Sequence, residues 1–264
     1  MPTAQPGAAT DLATLEKART FAADDPEGGL RWLFSSGLIL ESQEDRPDGL
    51  RAFLGVLVAK NPRQALDFAD LIDPLEQRIV YQLTAYDVLA KKDLTLAWQQ
   101  WGERHAQHAD EPVAILSLKD FQQFGLRHAW EELRKHHAAA ALADLPLDSM
   151  AKDRRFKTED ASFVIQLLGA EDRSSLSVRD PDLVDALARL DPVGFGAWLE
   201  ALPRDSNLDT AYAAMAWQSG RRHDFQSAQS WLQRIHDEGK REETMVYVRT
   251  QMSSTPVDVS PRAD

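Results

Sequence analysis

Cysteine is absent from all 264 residues, which excludes disulfides, thiol nucleophiles and thiolate metal sites without fixing a compartment. Long apolar runs are lacking too. The longest, Ala52 to Ala59, is far too short to cross a bilayer. Runs of β-branched residues are almost missing, and strand-like alternation is sustained nowhere. The amino terminus, Met1-Pro2-Thr3-Ala4-Gln5-Pro6-Gly7, has neither the basic start nor the apolar stretch of a secretory signal, so a cytoplasmic location is the expectation. Positive charge is in deficit, with 30 Lys and Arg against 42 Asp and Glu and a net charge of −12. Such a chain repels phosphate backbones and anionic bilayers, and neither nucleic acid nor membrane is expected as a partner. The basic pairs Arg154-Arg155 and Arg221-Arg222 read as solvated surface.

The residues that are abundant favour helix. Alanine, leucine, glutamine and arginine are frequent, and apolar residues recur at three- and four-residue spacing, as in Leu75, Ile79, Leu83, Tyr86 and Ala90. The expected fold is all-α, with ten to twelve helices, in one elongated domain or two small ones. Residues 1–10 and 253–264 are polar and proline-containing and are expected to be unstructured, leaving 11–252 as the helical region.

Helix starts recur in one form. Asp25-Pro26 precedes Gly29 and Trp32, and Asn61-Pro62 precedes Ala65 and Phe68. Asp93-Leu94 precedes Ala97 and Trp101, Asp191-Pro192 precedes Phe195 and Trp198, and Asp224-Phe225 precedes Ala228 and Trp231. Asp or Asn caps a helix by accepting a first-turn N–H, and proline suits the first helical position because its missing N–H has no intrahelical partner. A small residue one turn later admits a neighbouring helix, and the aromatic beyond it fills the space between hairpins. Starts at 61 and 93, and at 191 and 224, are 32 and 33 residues apart, the period of a stacked helical-hairpin array. The strongest internal match pairs Tyr81, Ala85, Asp93, Leu94 and Ala97 with Tyr212, Ala216, Asp224, Phe225 and Ala228.

Tyr81, Ala85, Leu94, Ala97 and Trp101 resemble one unit of the tetratricopeptide family, and Tyr212, Ala216, Phe225, Ala228 and Leu232 resemble another. Ala85 and Ala216 stand where that family has glycine, its closing proline is missing, and a related α-solenoid type is equally consistent. The resemblance implies an α-solenoid of antiparallel hairpins whose concave face binds extended peptides or helices of partner proteins. On this chain the polar positions near 48–60, 75–90 and 207–219 would line that face. The acidic balance suggests a partner segment with basic character.

Residues 105–190 keep the period poorly. Val113 to Leu145 reads as longer helices with a break at Gly125, and Leu142 to Ser149 echoes Leu199 to Ser206 as though a hairpin ended there. This stretch is either a bend or the meeting of two sub-arrays. It also holds the candidate chemistry. His105 and His108 share a helix face, with Asp110 and Glu111 close by, so a metal shell is one reading and a polar helix end before Pro112 the other. Arg127 to His137 is dense in titratable groups, with Glu131 spaced to pair with Arg134 and Lys135 on a solvated face. No nucleophile elbow or phosphate-binding glycine loop is present. Of the tryptophans, Trp32, Trp101, Trp198 and Trp231 belong to the helix-start pattern and read as inter-hairpin core. Trp98 and Trp130 fall outside it and are the better candidates for a partly exposed aromatic, with ordinary packing the favoured reading.

The sequence therefore points to a scaffold or adaptor that binds a protein or peptide, with no catalytic, cofactor-binding or metal residues assigned. The alternative is a small helical enzyme or metal-dependent sensor centred on 105–190. Self-association is a further possibility, because the ends of such arrays expose apolar faces.

Overall fold

All five anticipated helix starts are capped as their chemistry requires. In the computed structural model, which describes residues 12–36, 48–73, 75–104, 111–170, 180–202 and 208–253, Asp25 accepts from the Gly28 N–H at 3.0 Å and Asn61 from Gln64 at 3.1 Å. Asp93 accepts from Leu96 at 2.9 Å, Asp191 from Gly194 at 2.9 Å and Asp224 from Ser227 at 3.1 Å. Each bond satisfies a first-turn donor that the helix itself cannot pair. Hydrogen bonding from the Ser227 side chain, and then from its backbone N–H, holds the Asp224 carboxyl below its usual range. A sixth cap, Asp180 ahead of Pro181, accepts from Asp182 and Leu183. It escapes the sequence pattern because no aromatic follows it.

Among the described residues all regular structure is helical, with fifteen α-helices and two 3-10 turns at Phe68–Leu71 and Leu142–Asp144. The count exceeds the ten to twelve expected. Two helices have only six residues, Pro62–Asp67 and Leu147–Lys152, too few for a helical period to register in sequence. Residues 1–10 and 254–264 lie outside the described residues, and Ser253 closes the last helix.

The chain divides into two compact units, Met1–Phe124 with His128–Ala140, and Gly125–Arg127 with Ala141–Asp264. The division falls inside the stretch where the period fails.

The first unit contains α1 (Leu12–Asp24), α2 (Pro26–Ser35), α3 (Asp48–Lys60), α4 (Pro62–Asp67), α5 (Leu75–Lys92), α6 (Leu94–Arg104), α7 (Glu111–Phe124) and most of α8 (Leu126–His136). Helices α1, α3, α5 and α7 pack on one another in succession, and α2, α4 and α6 each touch the odd helix before and after. Leu33, Phe53, Leu54 and Leu57 are buried between them, each contributing roughly 1.5–3 kcal/mol. Polar contacts mark the same period. Lys60 of α3 donates to the Ala23 carbonyl of α1 at 2.6 Å, and Lys92 of α5 to the Ala59 carbonyl of α3 at 3.4 Å. The last carbonyls of a helix lack intrahelical partners and favour a cation, so each helix end supplies the acceptor that the next hairpin's lysine fills. Arg104 at the end of α6 pairs with Asp67 and Asp70, on α4 and the turn after it.

Two glycines separate packing from propensity. A Cβ at Gly29 would lie 2.6 Å from the Phe21 Cβ and 2.7 Å from the Phe53 ring, whereas one at Gly55 would meet nothing within 4 Å. Gly29→Ala is expected to cost about 1–3 kcal/mol by overpacking. Gly55→Ala, within the exposed face of α3, is expected to stabilise by about 0.5–1 kcal/mol. Urea unfolding of both variants checks the contrast.

The second unit contains α9 (Leu147–Lys152), α10 (Thr158–Ala170), α11 (Pro181–Leu190), α12 (Pro192–Glu200), α13 (Asp209–Arg221), α14 (Phe225–Leu232) and α15 (Glu238–Ser253). Helices α9, α11, α13 and α15 pack in succession, with α10 and α12 against α11, and α14 against α13 and α15. Gln218 donates to Asp185 at 3.0 Å and Arg222 to the Arg189 carbonyl at 3.1 Å, both 33 residues back. Tyr212 and Ala216, like Tyr81 and Ala85, are fully buried. The echo between Leu142 to Ser149 and Leu199 to Ser206 does not hold locally. Leu142–Asp144 is a 3-10 turn after which Leu147 begins α9, whereas Leu199 lies within α12.

Candidate functional site

The densest chemistry lies where α6, α7 and α8 meet in the first unit. The Trp98 indole N–H donates to Asp120 Oδ2 at 2.8 Å, and His128 Nδ1 lies 2.5 Å from Asp120 Oδ1. The Asp120 side chain is 1% exposed and that of His128 is 45% exposed, so a buried carboxylate anchors an imidazole that reaches solvent. A carboxylate only accepts, so His128 Nδ1 is the donor of this bond. The α7–α8 turn is set by Gly125, whose φ of 92° is the left-handed conformation favoured by glycine, so the anticipated break falls where expected. Burial pushes the Asp120 carboxyl above its usual range, opposed by the bonds from His128 and Trp98.

The next turns of α8 extend the network. His136 stacks on Trp98, with ring centroids 6.1 Å apart and planes 1° from parallel. A Cβ at Gly102 would lie 2.6 Å from His136 Nδ1, so a glycine at this point of α6 lets the imidazole in. Burial draws the His136 pKa down, while Glu132, 3.6 Å from Nε2, opposes the shift. Glu132 also pairs with Lys135 at 3.0 Å. The expected partners Glu131–Lys135 and Glu131–Arg134 are therefore corrected. Lys135 turns to Glu132, and Arg134 donates to the Ala140 carbonyl at 2.8 Å with its guanidinium 5.6 Å from the Trp130 ring centre. Trp98 is packed, 1% exposed, rather than open to a groove, while Trp130 is half-buried. Of the pattern tryptophans, Trp101 and Trp231 are buried and Trp32 and Trp198 half-buried.

Sequence reasoning passed over Asp120, although a signal existed. Val113, Leu116, Ser117 and Asp120 follow the 3–4 spacing of one helix face, so a carboxylate stands at a core position. All four are buried. A second buried carboxylate, Asp87 of α5, is neutralised by Lys91 at 2.9 Å and Lys119 at 3.3 Å. The metal candidates His105, His108 and Asp110 lie outside the described residues, as does the side chain of Glu111. Among the described residues no three His, Asp or Glu side chains are placed to hold a metal ion. No helix among them is long and apolar enough to cross a membrane.

The second unit carries an open groove of about 400 Å³ between α14 and α15. Leu232 and Met245 supply its apolar lining, Gln229 on α14 and Gln233 just after it border one side, and Glu238, Arg241 and Glu242 border it on α15. Arg241 is engaged locally, donating to the Ile235 carbonyl at 3.3 Å and pairing with Glu238 at 3.7 Å. The segments expected to line a binding face are not equally open. α3 exposes Arg51, Gly55 and Ala59, but α13 is buried almost all round, with Arg221 its exposed residue. No protein family, curated protein or solved structure matches this chain.

Proposed function

We propose that the chain is a protein-interaction module, its hairpins stacked as in a tetratricopeptide-like α-solenoid, acting as a scaffold or adaptor for a partner polypeptide. The observation that carries this reading is the layering repeated in both units, in which odd helices pack in succession and polar side chains reach back to the preceding hairpin. Such stacking builds surface from backbone units rather than enclosing a cavity, and it suits extended contact with another chain. The α14–α15 groove is the docking place we assign, being open, apolar at its base and bordered by carboxylates.

Affinity capture of the intact chain from native lysate, followed by mass spectrometry and elemental analysis, tests the proposal. A protein that co-purifies stoichiometrically and rebinds when separately purified is the expected result. Stoichiometric metal or metabolite with no protein partner would overturn it. Light scattering across a concentration range distinguishes an adaptor from a self-associating subunit.

One observation favours the alternative, a helical enzyme or metal-dependent sensor. His128, its side chain 45% exposed, is held at Nδ1 by a buried carboxylate, an arrangement that orients an imidazole for proton transfer or ligation. Bound metal that disappears in the double variant His105→Ala with His108→Ala, or with His128→Ala, would favour it.

A further inference from the structure

The three odd helices α5, α13 and α15 share one register. Arg78, Asp209 and Arg241 each stand three residues ahead of a fully buried position, held by Tyr81, Tyr212 and Thr244 in turn. Arg78 donates to the Ile72 carbonyl as Arg241 does to that of Ile235, each reaching six residues back into the loop before its helix. One turn on, Ala85, Ala216 and Val248 are buried in the same way. A Cβ at Gly220 would meet the Val248 side chain at 3.4 Å, which places that face of α15 against α13.

In this register Asp209 and Ala213 on α13 correspond to Arg241 and Met245 on α15. The fates of the two pairs differ. Asp209 and Ala213 are buried, and Asp209 accepts the backbone N–H groups of His236 and Asp237 at 2.9 and 2.7 Å, in the loop that leads to the next odd helix. Arg241 and Met245 are only half-buried and open onto the groove that α15 forms with α14. What covers α13 at this register is the following hairpin, and on α15 the same seat stands open.

We propose that this seat takes a helix from a partner protein, an amphipathic and basic one, added to the second unit as its next helix. Leu232 and Met245 would receive apolar side chains spaced three and four residues apart. Glu242, exposed on α15, would meet a Lys or Arg flanking that stripe, in keeping with the chain's net charge of −12. Arg241 offsets Glu238, with which it pairs, and also donates to the Ile235 carbonyl, so Glu242 sets the sign of the groove. The inference rests on the binding role proposed above and names its partner.

The test is selection from a displayed library of random 16-residue peptides on the full-length protein, with the winners measured by fluorescence anisotropy and mapped by chemical-shift perturbation. The expected winners are helical on binding, amphipathic and basic, shift resonances of α14 and α15, and lose about tenfold or more in affinity on Met245→Gln and again on Glu242→Lys. Both positions are partly exposed, so the folded state survives, and thermal unfolding verifies this. Acidic winners, or winners indifferent to Met245→Gln, overturn the inference. Winners that map to the first unit overturn it too, yet leave the interaction role standing. A library that yields no binder, beside a lysate capture with no protein partner, overturns both.

Discussion

Trp98→Phe is expected to destabilise the protein by about 3 kcal/mol, because a hydrogen bond to a buried charge is lost together with part of the indole's packing. Phenylalanine fills most of the space but has no N–H for Asp120 Oδ2, so a carboxylate 1% exposed keeps His128 as its one partner in this network. Asp120→Ala is expected to cost less, about 2 kcal/mol. It strands the Trp98 donor but also removes a charge whose burial is unfavourable. The double variant should cost less than the two together, because it leaves neither a stranded donor nor a stranded charge.

The pH dependence follows from the direction of the Asp120 shift. Burial raises its folded pKa above the unfolded carboxylate value of about 3.9. The folded state therefore holds the proton more tightly, and the penalty of burying the charge is fully present above the folded pKa. It is relieved as pH falls through that value towards the unfolded one. Trp98→Phe removes a bond that lowers this pKa, so its deficit is largest at neutral pH and shrinks on acidification. Urea unfolding at several pH values measures the trend, and a deficit that grew towards acid would contradict it. The titratable groups beside the pair on α8 are His128, Glu132 and His136. Titration of His136 moves the same curve, which makes His136→Phe a useful control.

Tyr81→Ala is the second large effect, expected at about 3–5 kcal/mol. Tyr81 is fully buried on α5, and its hydroxyl donates to the Ala65 carbonyl of α4 at 2.8 Å, joining two successive hairpins. Tyr81→Phe isolates that bond and is expected to cost about 1 kcal/mol. Tyr212→Ala, at the matching position of the second unit, should cost as much as Tyr81→Ala, because both rings are fully buried at one register of an odd helix. Chemical denaturation with helicity as the signal checks the three variants. A small loss at either alanine would mean that the tyrosines do not anchor their hairpins.

Much of the architecture can be read along the chain because its cues are local. A cap needs only the carboxylate of Asp25, Asn61 or Asp191 and the N–H groups of the next turn, so the residue types suffice. The same holds for the reversal at Gly125. Short helices such as α4 and α9 escape because six residues carry less than two turns of period. The even pairing assumed for Glu131 failed for a related reason. Spacing permits Lys135 to reach Glu131 or Glu132, and Glu132 is the one that also meets His136 on the side of α8 facing Trp98.

What the sequence by itself determined is the helical class, the absence of thiol chemistry, the capped helix starts and the matched hairpins at Tyr81 and Tyr212. These depend on neighbours within a turn or two, or on residue types alone. Only the tertiary structure decided that Asp120 joins Trp98 and His128, that α13 is enclosed while α15 keeps an open side, and that the chain forms two units. The physical reason is distance along the chain. Trp98 and Asp120 are 22 residues apart and Asp209 and His236 are 27 apart, so each contact exists only once several helices have packed. Burial is a property of that packing: the positions of Ala213 and Met245 are equivalent along their helices, and what lies over each decides which is core and which is surface.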